Sequence, residues 1–286
     1  MTEKNEKRII EVPRRQFIAG VGKFAAGAAV GMGALGLVGC SSTETAQAEG
    51  ENTSAEGGAS KVELPAWPWP YKKLDVEKVR KAGYDYYHAG LHCMGGAFKA
   101  IIGTLAEEVG FPYNALPIDT MAFYGQGGVM GWATLCGAAN GASMAINLVL
   151  GNKHEKLGAA INEVMGYYST EPMPTAASNK FGDMGELAQS VAGNPLCHAS
   201  VTNWCKASGY KSFSKERAER CGRITGDTAA RAAEILNEIA DNGNFTAAYK
   251  APDTIATCAA CHDKGGTLEN TRGKMDCITC HEPHEL

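Results

Sequence analysis

The 286-residue sequence carries little charge and no excess of basic residues. Lys and Arg number 27 against 31 Asp and Glu, for a formal net charge of −4, so no face for nucleic acid is indicated. The period-two alternation of half-buried strands is nearly absent, which disfavours a β-rich fold. A dinucleotide-binding fingerprint is also lacking, because Gly125, Gly127 and Gly131 miss its spacing by one residue. No general acid, nucleophile or phosphate loop stands out.

Helical patterns dominate instead, in a chain with 44% hydrophobic residues. From Leu74 to Val109 apolar residues recur at three- and four-residue steps, with Asp75 as an N-cap and Gly110-Phe111-Pro112 as the stop. Further helices are predicted from Cys136 to about Leu150, from His154 to Tyr168 and from Ser214 to Ala240. The sequence therefore predicts a mainly α fold.

The first 40 residues are typical of an export signal. Arg14 and Arg15 form a twin-arginine pattern before a glycine-rich apolar stretch, and Leu37-Val38-Gly39-Cys40 resembles a lipobox. We expect export to the periplasm, with Cys40 as a lipid anchor. Cleavage after Ala46-Gln47-Ala48 would instead release a soluble protein, and a membrane-spanning anchor is a further alternative. The twin-arginine route carries folded proteins, which suggests that a metal is acquired before export.

Two copies of C-x-x-C-H stand near the end of the chain: Cys258-Ala-Ala-Cys261-His262 and Cys277-Ile-Thr-Cys280-His281. Thiols at this spacing can both add to one porphyrin, and the next histidine can ligate its iron. The four cysteines also fit a zinc ribbon, but a ribbon requires no histidine after each second cysteine. The sequence predicts two haems c per chain, with His262 and His281 as proximal ligands. Distal ligands are expected from His88, His92 and His198, and His284 is the alternative.

These features divide the chain into four parts. Residues 1–40 are the signal peptide, and residues 41–63 are small, polar and aperiodic, as in a flexible linker. Residues 64–245 form a helical, cysteine-containing domain. Residues 246–286 are polar and poor in aliphatic side chains, so we expect bound haem to organise this dihaem segment.

Five further cysteines lie in the predicted helical domain: Cys93, Cys136, Cys197, Cys205 and Cys221. Thiolates that converge from separate helices suit an iron–sulfur cluster. Disulfides are the alternative in an oxidising compartment, although five cysteines would leave one unpaired. Spacing alone leaves the choice open.

The run Cys136-Gly137-Ala138-Ala139-Asn140-Gly141, with one earlier and two later cysteines, resembles a redox-active family named for its C…GCAxxG…C…C pattern. With the two C-x-x-C-H motifs and the leader, the chain resembles the split-Soret cytochrome c family from about Pro65 to its end. That resemblance implies a helical homodimer of electron carriers. It also implies two stacked, bis-histidine haems c and a [2Fe–2S] cluster per subunit.

Carried over by residue, the family cysteines match Cys93, Cys136, Cys205 and Cys221, with Cys197 as the alternative to Cys205. The glycine of the GCA triplet follows the cysteine here, which is a slight departure. The expected function is periplasmic electron transfer with redox partner proteins rather than catalysis. The alternatives are a haem reductase of a small oxidant and a zinc- or disulfide-based structural protein.

Overall fold

A computed structural model describes residues 63–284. Within this range the protein consists of helices and irregular segments, and extended pairing is limited to two isolated bridges. The predicted mainly helical fold is confirmed. The predictions for the export signal and for Cys40 lie outside the described residues.

The helices of the described range, numbered in chain order, vary widely in length. They are α1 (Val76–Tyr86), α2 (His92–Glu108), α3 (Ile118–Met121), α4 (Gly137–Leu150), α5 (Leu157–Thr170), α6 (Cys197–Ser208), α7 (Lys215–Asn242) and α8 (Asp253–His262). A π-helical turn, Tyr87–Leu91, joins α1 to α2, and short 3-10 turns punctuate the loops.

The core forms where α1, α2, α4 and α7 pack against one another. Helix α2 supplies Phe98, Ile101 and Leu105, all fully buried. By length and composition the stretch Val76–Glu108 could span a membrane, yet 67% of its apolar window is buried inside the protein. Burial of this kind is typical of a core helix, and it accounts for the apolar pattern in the sequence.

The predicted helix from Leu74 to Val109 consists of two helices, α1 and α2, separated by the π-helical turn. Asp75 caps α1, since its Oδ1 accepts hydrogen bonds from the backbone N–H groups of Glu77 and Lys78 at 2.9 and 3.0 Å. The break is the π-helical turn, where Gly90 has a φ of 96° and His92 a φ of 54°. A left-handed histidine is strained, and such strain often marks a functional site.

One predicted helix boundary needs correction, and two of the longer helices were not expected. The helix predicted from His154 begins at Leu157, because the His154 Nδ1 accepts the Lys156 N–H at 3.2 Å in a preceding turn. Helices α6 and α8 were not predicted. For α6 a signal was available, since Gly209 after its last residue takes the left-handed conformation of a helix C-terminus.

The backbones of helices α1 and α7 approach each other closely at two glycines, Gly83 and Gly226. A Cβ on Gly226 would lie 2.3 Å from the Arg80 carbonyl oxygen, and one on Gly83 would lie 2.9 Å from the Gly226 Cα. No side chain fits at this crossing, and the crossing fixes the part of α7 that follows Cys221.

Replacing Gly226 with alanine should therefore lower the free energy of unfolding by about 1–3 kcal/mol, as overpacked sites do. Gly158→Ala in α5 is the matched control, because a Cβ there meets nothing within 4 Å. Denaturant unfolding of both variants measures the difference. Equal stabilities of the two variants would contradict the close crossing.

Candidate metal centre

Four cysteines line one cavity of about 700 Å³. They are Cys93, Cys136, Cys197 and Cys221, and the space between them is called here the cysteine cavity. Cys93 follows the strained His92 at the start of α2, Cys136 is the N-cap residue of α4, Cys197 begins α6, and Cys221 lies in the second turn of α7. Four separate elements thus bring one soft donor each to the same space.

Backbone pairing holds two of these cysteines side by side. The Cys136 N–H donates to the Pro195 carbonyl oxygen at 2.9 Å, and the Cys197 N–H donates to the Thr134 carbonyl oxygen at 2.7 Å. These paired segments lead directly into α4 and α6. The first turns of both helices therefore start at the cavity wall.

The glycines after Cys136 allow α4 to approach α2. A Cβ on Gly137 would lie 2.4 Å from the Cys93 Sγ, and one on Gly141 would lie 2.3 Å from the Met94 carbonyl oxygen. Side chains at these positions would push Cys93 away from Cys136. The Gly-Ala-x-x-Gly pattern thus has a steric role at the cavity.

The structure brings Cys197 to the cavity in place of Cys205. Cys205 lies eight residues further along α6, about 12 Å along the helix axis at 1.5 Å per residue, and does not line the cavity. Of the two candidates that sequence reasoning weighed, the placement thus favours Cys197, and the ligand assignment stays a prediction. Similarity of the surrounding segment favoured Cys205, whereas backbone pairing between residues 134–136 and 195–197 holds Cys197 at the cavity.

The cavity thiols are held in an apolar environment that disfavours their charge. Burial raises the pKa of the Cys93 and Cys136 thiols, and it raises the pKa of the Cys197 thiol to about 12. Neighbouring cysteines add to the rise, whereas Arg220 lowers the pKa of Cys136 and of Cys197. Four thiolates here would need positive charge from metal ions or from the protein.

None of the nine cysteines in residues 63–284 is joined in a disulfide in the structure. No three His, Cys, Asp or Glu side chains of that range stand close enough together to hold one metal ion. The four thiols surround the cysteine cavity rather than a single point. Such an arrangement suits an occupant with several metal atoms better than a mononuclear ion.

The predicted distal histidines are placed unequally. His88 and His92 line the same cavity, and the His88 Nε2 lies 3.2 Å from the Glu219 Oε2. His198 is exposed beside Cys197, does not line the cavity, and donates its backbone N–H to the Ala133 carbonyl oxygen at 3.0 Å. The break between α1 and α2 removes the regular i, i+4 relation expected for His88 and His92, yet both still face the cavity.

The two C-x-x-C-H motifs lie next to each other. Helix α8 carries Cys258, Cys261 and His262, and a 3-10 turn begins at Cys277. Burial raises the pKa of Cys277, and the neighbouring Cys258 thiol of the other motif adds to the rise. The Thr254 hydroxyl, which donates to the Asp276 Oδ1 at 2.7 Å, joins the same two elements.

Both motifs are accessible from solvent. Cys258, Cys261, His262 and Cys277 are partly exposed, while Cys280 and His281 are exposed. The His262 Nδ1 lies 2.8 Å from the Asn270 Oδ1, and the His262 ring centroid lies 5.8 Å from that of His284. An Nδ1–H bond of this kind fixes the ring and leaves Nε2 as the coordinating nitrogen.

The C-terminal segment contacts the helical domain at several points. The backbone N–H groups of Ala248 and Tyr249 donate to the Glu163 Oε2 at 3.1 and 3.0 Å. The Asn194 Nδ2 lies 3.5 Å from the Thr279 Oγ1. Since the next residue, Pro195, accepts the Cys136 N–H, the second motif is linked to the wall of the cysteine cavity.

Three lining residues escaped sequence reasoning: Tyr168, Arg217 and Arg220. Tyr168 is buried and hydrogen-bonded with Cys136, while the Arg217 Nη1 lies 4.0 Å from the Cys221 Sγ. Arg217 stands four residues before Cys221, and that spacing was the available signal, because it places the two side chains on one side of α7. Arg220 directly precedes Cys221, and no helical spacing marked it in advance.

Comparison with known proteins identifies the family. The chain is 35% identical over 277 residues to split-Soret cytochrome c of Desulfovibrio desulfuricans, covering 95% of each sequence. It belongs to the split-Soret cytochrome c family. As a member, it is a haem-containing redox protein, and haem c, rather than zinc, is the cofactor that this membership supports.

Two further matches agree with the split-Soret family. The family described as "Putative redox-active protein (C_GCAxxG_C_C)" matches residues 97–235, a range that begins four residues after Cys93. A solved structure, reported as a novel iron centre in the split-Soret cytochrome c of Desulfovibrio desulfuricans, matches with a TM-score of 0.68 and 35% identity. That match covers 76% of this chain and 91% of the other.

Proposed function

We propose that this protein is a periplasmic electron carrier that holds two covalent haems c and a [2Fe–2S] cluster. The observation that carries the proposal is the cysteine cavity, which four thiols from separate elements line. The similarity of the chain to a cytochrome supports the haems. Cysteine thiolates are the usual ligands of such clusters. When bound, the cluster would supply a one-electron centre beside the haems.

The donors in the cavity fit an iron–sulfur cluster in kind and in arrangement. Cys93, Cys136, Cys197 and Cys221 would ligate the irons, and Gly137 leaves the space that Cys93 needs. A relative of this chain has been described as containing a novel iron centre, which supports a second iron site besides haem. The role of the chain is to exclude water and to hold the four sulfurs in place.

The haems would be attached through Cys258 and Cys261 on α8 and through Cys277 and Cys280 in the following turn. His262 and His281 would be the proximal ligands, with His262 oriented by Asn270. The hydrogen bond from Thr254 to Asp276 links the two elements that carry the attachment points, which supports haems held near enough to exchange electrons.

Distal ligands would come from His88, His92 and His198. The His88 Nε2 lies against Glu219, a carboxylate that also pairs with the Arg223 guanidinium at 2.8 Å. Ligation through Nε2 would therefore require His88 to leave that carboxylate. A distal histidine could also be donated across a dimer interface.

A homodimer fits the apolar loop beside the cavity. Trp132 is 80% exposed, Met130 60% and Phe213 95%, and Met130 and Phe213 also line the cavity. Exposed apolar groups this close together mark an interaction site. A second copy of the chain would cover them and close the cavity mouth.

The predicted signal of residues 1–40 would direct the protein to the periplasm, and Cys40 would be its lipid anchor.

The placement of the cysteines gives a paired test of the cluster. Cys197→Ser should lose most of the iron that is not haem iron, because it removes one of the ligands in the cavity. Cys205→Ser should keep that iron, since Cys205 does not line the cavity, and it serves as the matched control. Iron and acid-labile sulfide analysis of anaerobically purified protein measures both. The reverse result would restore Cys205 as the ligand, and retention in both variants would count against a cluster at this site.

The apolar loop gives a test of the dimer. Trp132→Ser should weaken self-association about tenfold, as loss of a buried interface tryptophan does. Leu64→Ser, at an exposed apolar position in the N-terminal part of the described chain, is the control and should not change it. Sedimentation velocity over a concentration series measures the dissociation constant. A wild-type protein that stays monomeric would contradict the dimer.

A further inference from the structure

Arg220 is a buried arginine that forms no ion pair with an acidic side chain of the described chain. It is 1% exposed, lines the cysteine cavity, and directly precedes Cys221 on α7. Its Nη2 donates to the Ser200 Oγ at 2.9 Å, and its Cζ lies 5.7 Å from the centre of the Trp204 ring. Its Nε is inaccessible and has no hydrogen-bond partner in the protein.

The other deeply buried arginines of the described chain are paired differently. Arg223 lies 2.8 Å from a carboxylate oxygen of Glu219, and Arg80 lies 2.6 Å from one of Asp227. Among residues 63–284, Arg220 forms no ion pair with a carboxylate. Because a buried, unpaired guanidinium is strongly destabilising, its position implies that something negative shares the cavity.

The composition of the proposed centre supplies that negative charge. Two ferric ions, two sulfides and four cysteine thiolates together carry a net negative charge, and the uptake of one electron makes it larger by one. A fixed cation at the cavity wall stabilises the reduced state more than the oxidised state, and does so strongly in a site that excludes water. Arg217, at 4.0 Å from the Cys221 Sγ, adds a second and more accessible cation.

We propose that Arg220 is the buried counter-charge of the iron–sulfur centre and that it raises the reduction potential of that centre. The inference rests on the proposed cluster and deepens it. Arg220 is a positioning residue in this account, because its charge acts on the electron-accepting centre without ligating it.

An anaerobic redox titration of the whole protein, with dithionite as the electron donor and EPR detection of the reduced cluster, tests the proposal. Arg220→Gln removes the charge and should lower the equilibrium constant for cluster reduction by about tenfold or more, which is 59 mV for a one-electron couple. Arg220→Lys keeps the charge and should restore most of the potential. Lys215→Gln, the same charge change at an exposed position of α7, should leave the potential unchanged.

The possible failures are distinguishable. A wild-type protein without iron beyond haem iron refutes the cluster itself. A cluster whose potential is the same in Arg220→Gln as in wild type refutes the counter-charge while leaving the cluster intact. If Arg220→Gln loses its cluster, two results would still support the counter-charge: Arg220→Lys keeps the cluster, and Arg217→Gln lowers the cluster's reduction potential. If Arg220→Lys also loses the cluster, the counter-charge is overturned.

Discussion

The structure depends on four thiols and one buried, unpaired guanidinium that line a single cavity. Charge on any of these groups is costly without an opposite charge beside it: burial raises the pKa of Cys93, Cys136 and Cys197, and Arg220 lacks a carboxylate partner in the described chain. The proposed anionic, thiolate-bound metal centre would offset both costs at once. The fold can then be understood as the means of bringing these groups together, from the glycine crossing of α1 with α7 to the paired segments before α4 and α6.

Irregular backbone is concentrated at this cavity. The π-helical turn before α2 and the left-handed His92 place two histidines and Cys93 at its wall, while the loop with left-handed Val129, Met130 and Ala133 borders its mouth. Strain of this kind persists only where the surrounding structure enforces it. The same irregular elements connect the cavity to its surroundings: the loop carries the exposed apolar side chains, and Asn194, beside Pro195, contacts the second haem motif.

Sequence reasoning succeeded where a pattern reports one local geometry. The helical period gave α2, α4 and α7, and Asp75 was identified as a cap because an acceptor there satisfies free backbone N–H groups. It could not decide where contacts distant in sequence determine the arrangement. The choice between Cys197 and Cys205 depends on pairing between residues 134–136 and 195–197, and the break at Tyr87–Leu91 interrupts an otherwise regular apolar pattern. The role of Arg220 becomes visible only when its neighbours are known.

In the proposed function, one chain carries two kinds of redox centre, haem c and an iron–sulfur cluster. Native mass spectrometry of anaerobically prepared protein tests it most directly, because covalent haems survive denaturation in acid whereas a thiolate-bound cluster does not. We predict a native mass that, per chain, equals the processed chain plus two haems and a [2Fe–2S] cluster, and an acid-denatured mass that retains the haems alone. Identical native and denatured masses per chain would contradict the cluster, and a denatured mass without haem would contradict the covalent attachment.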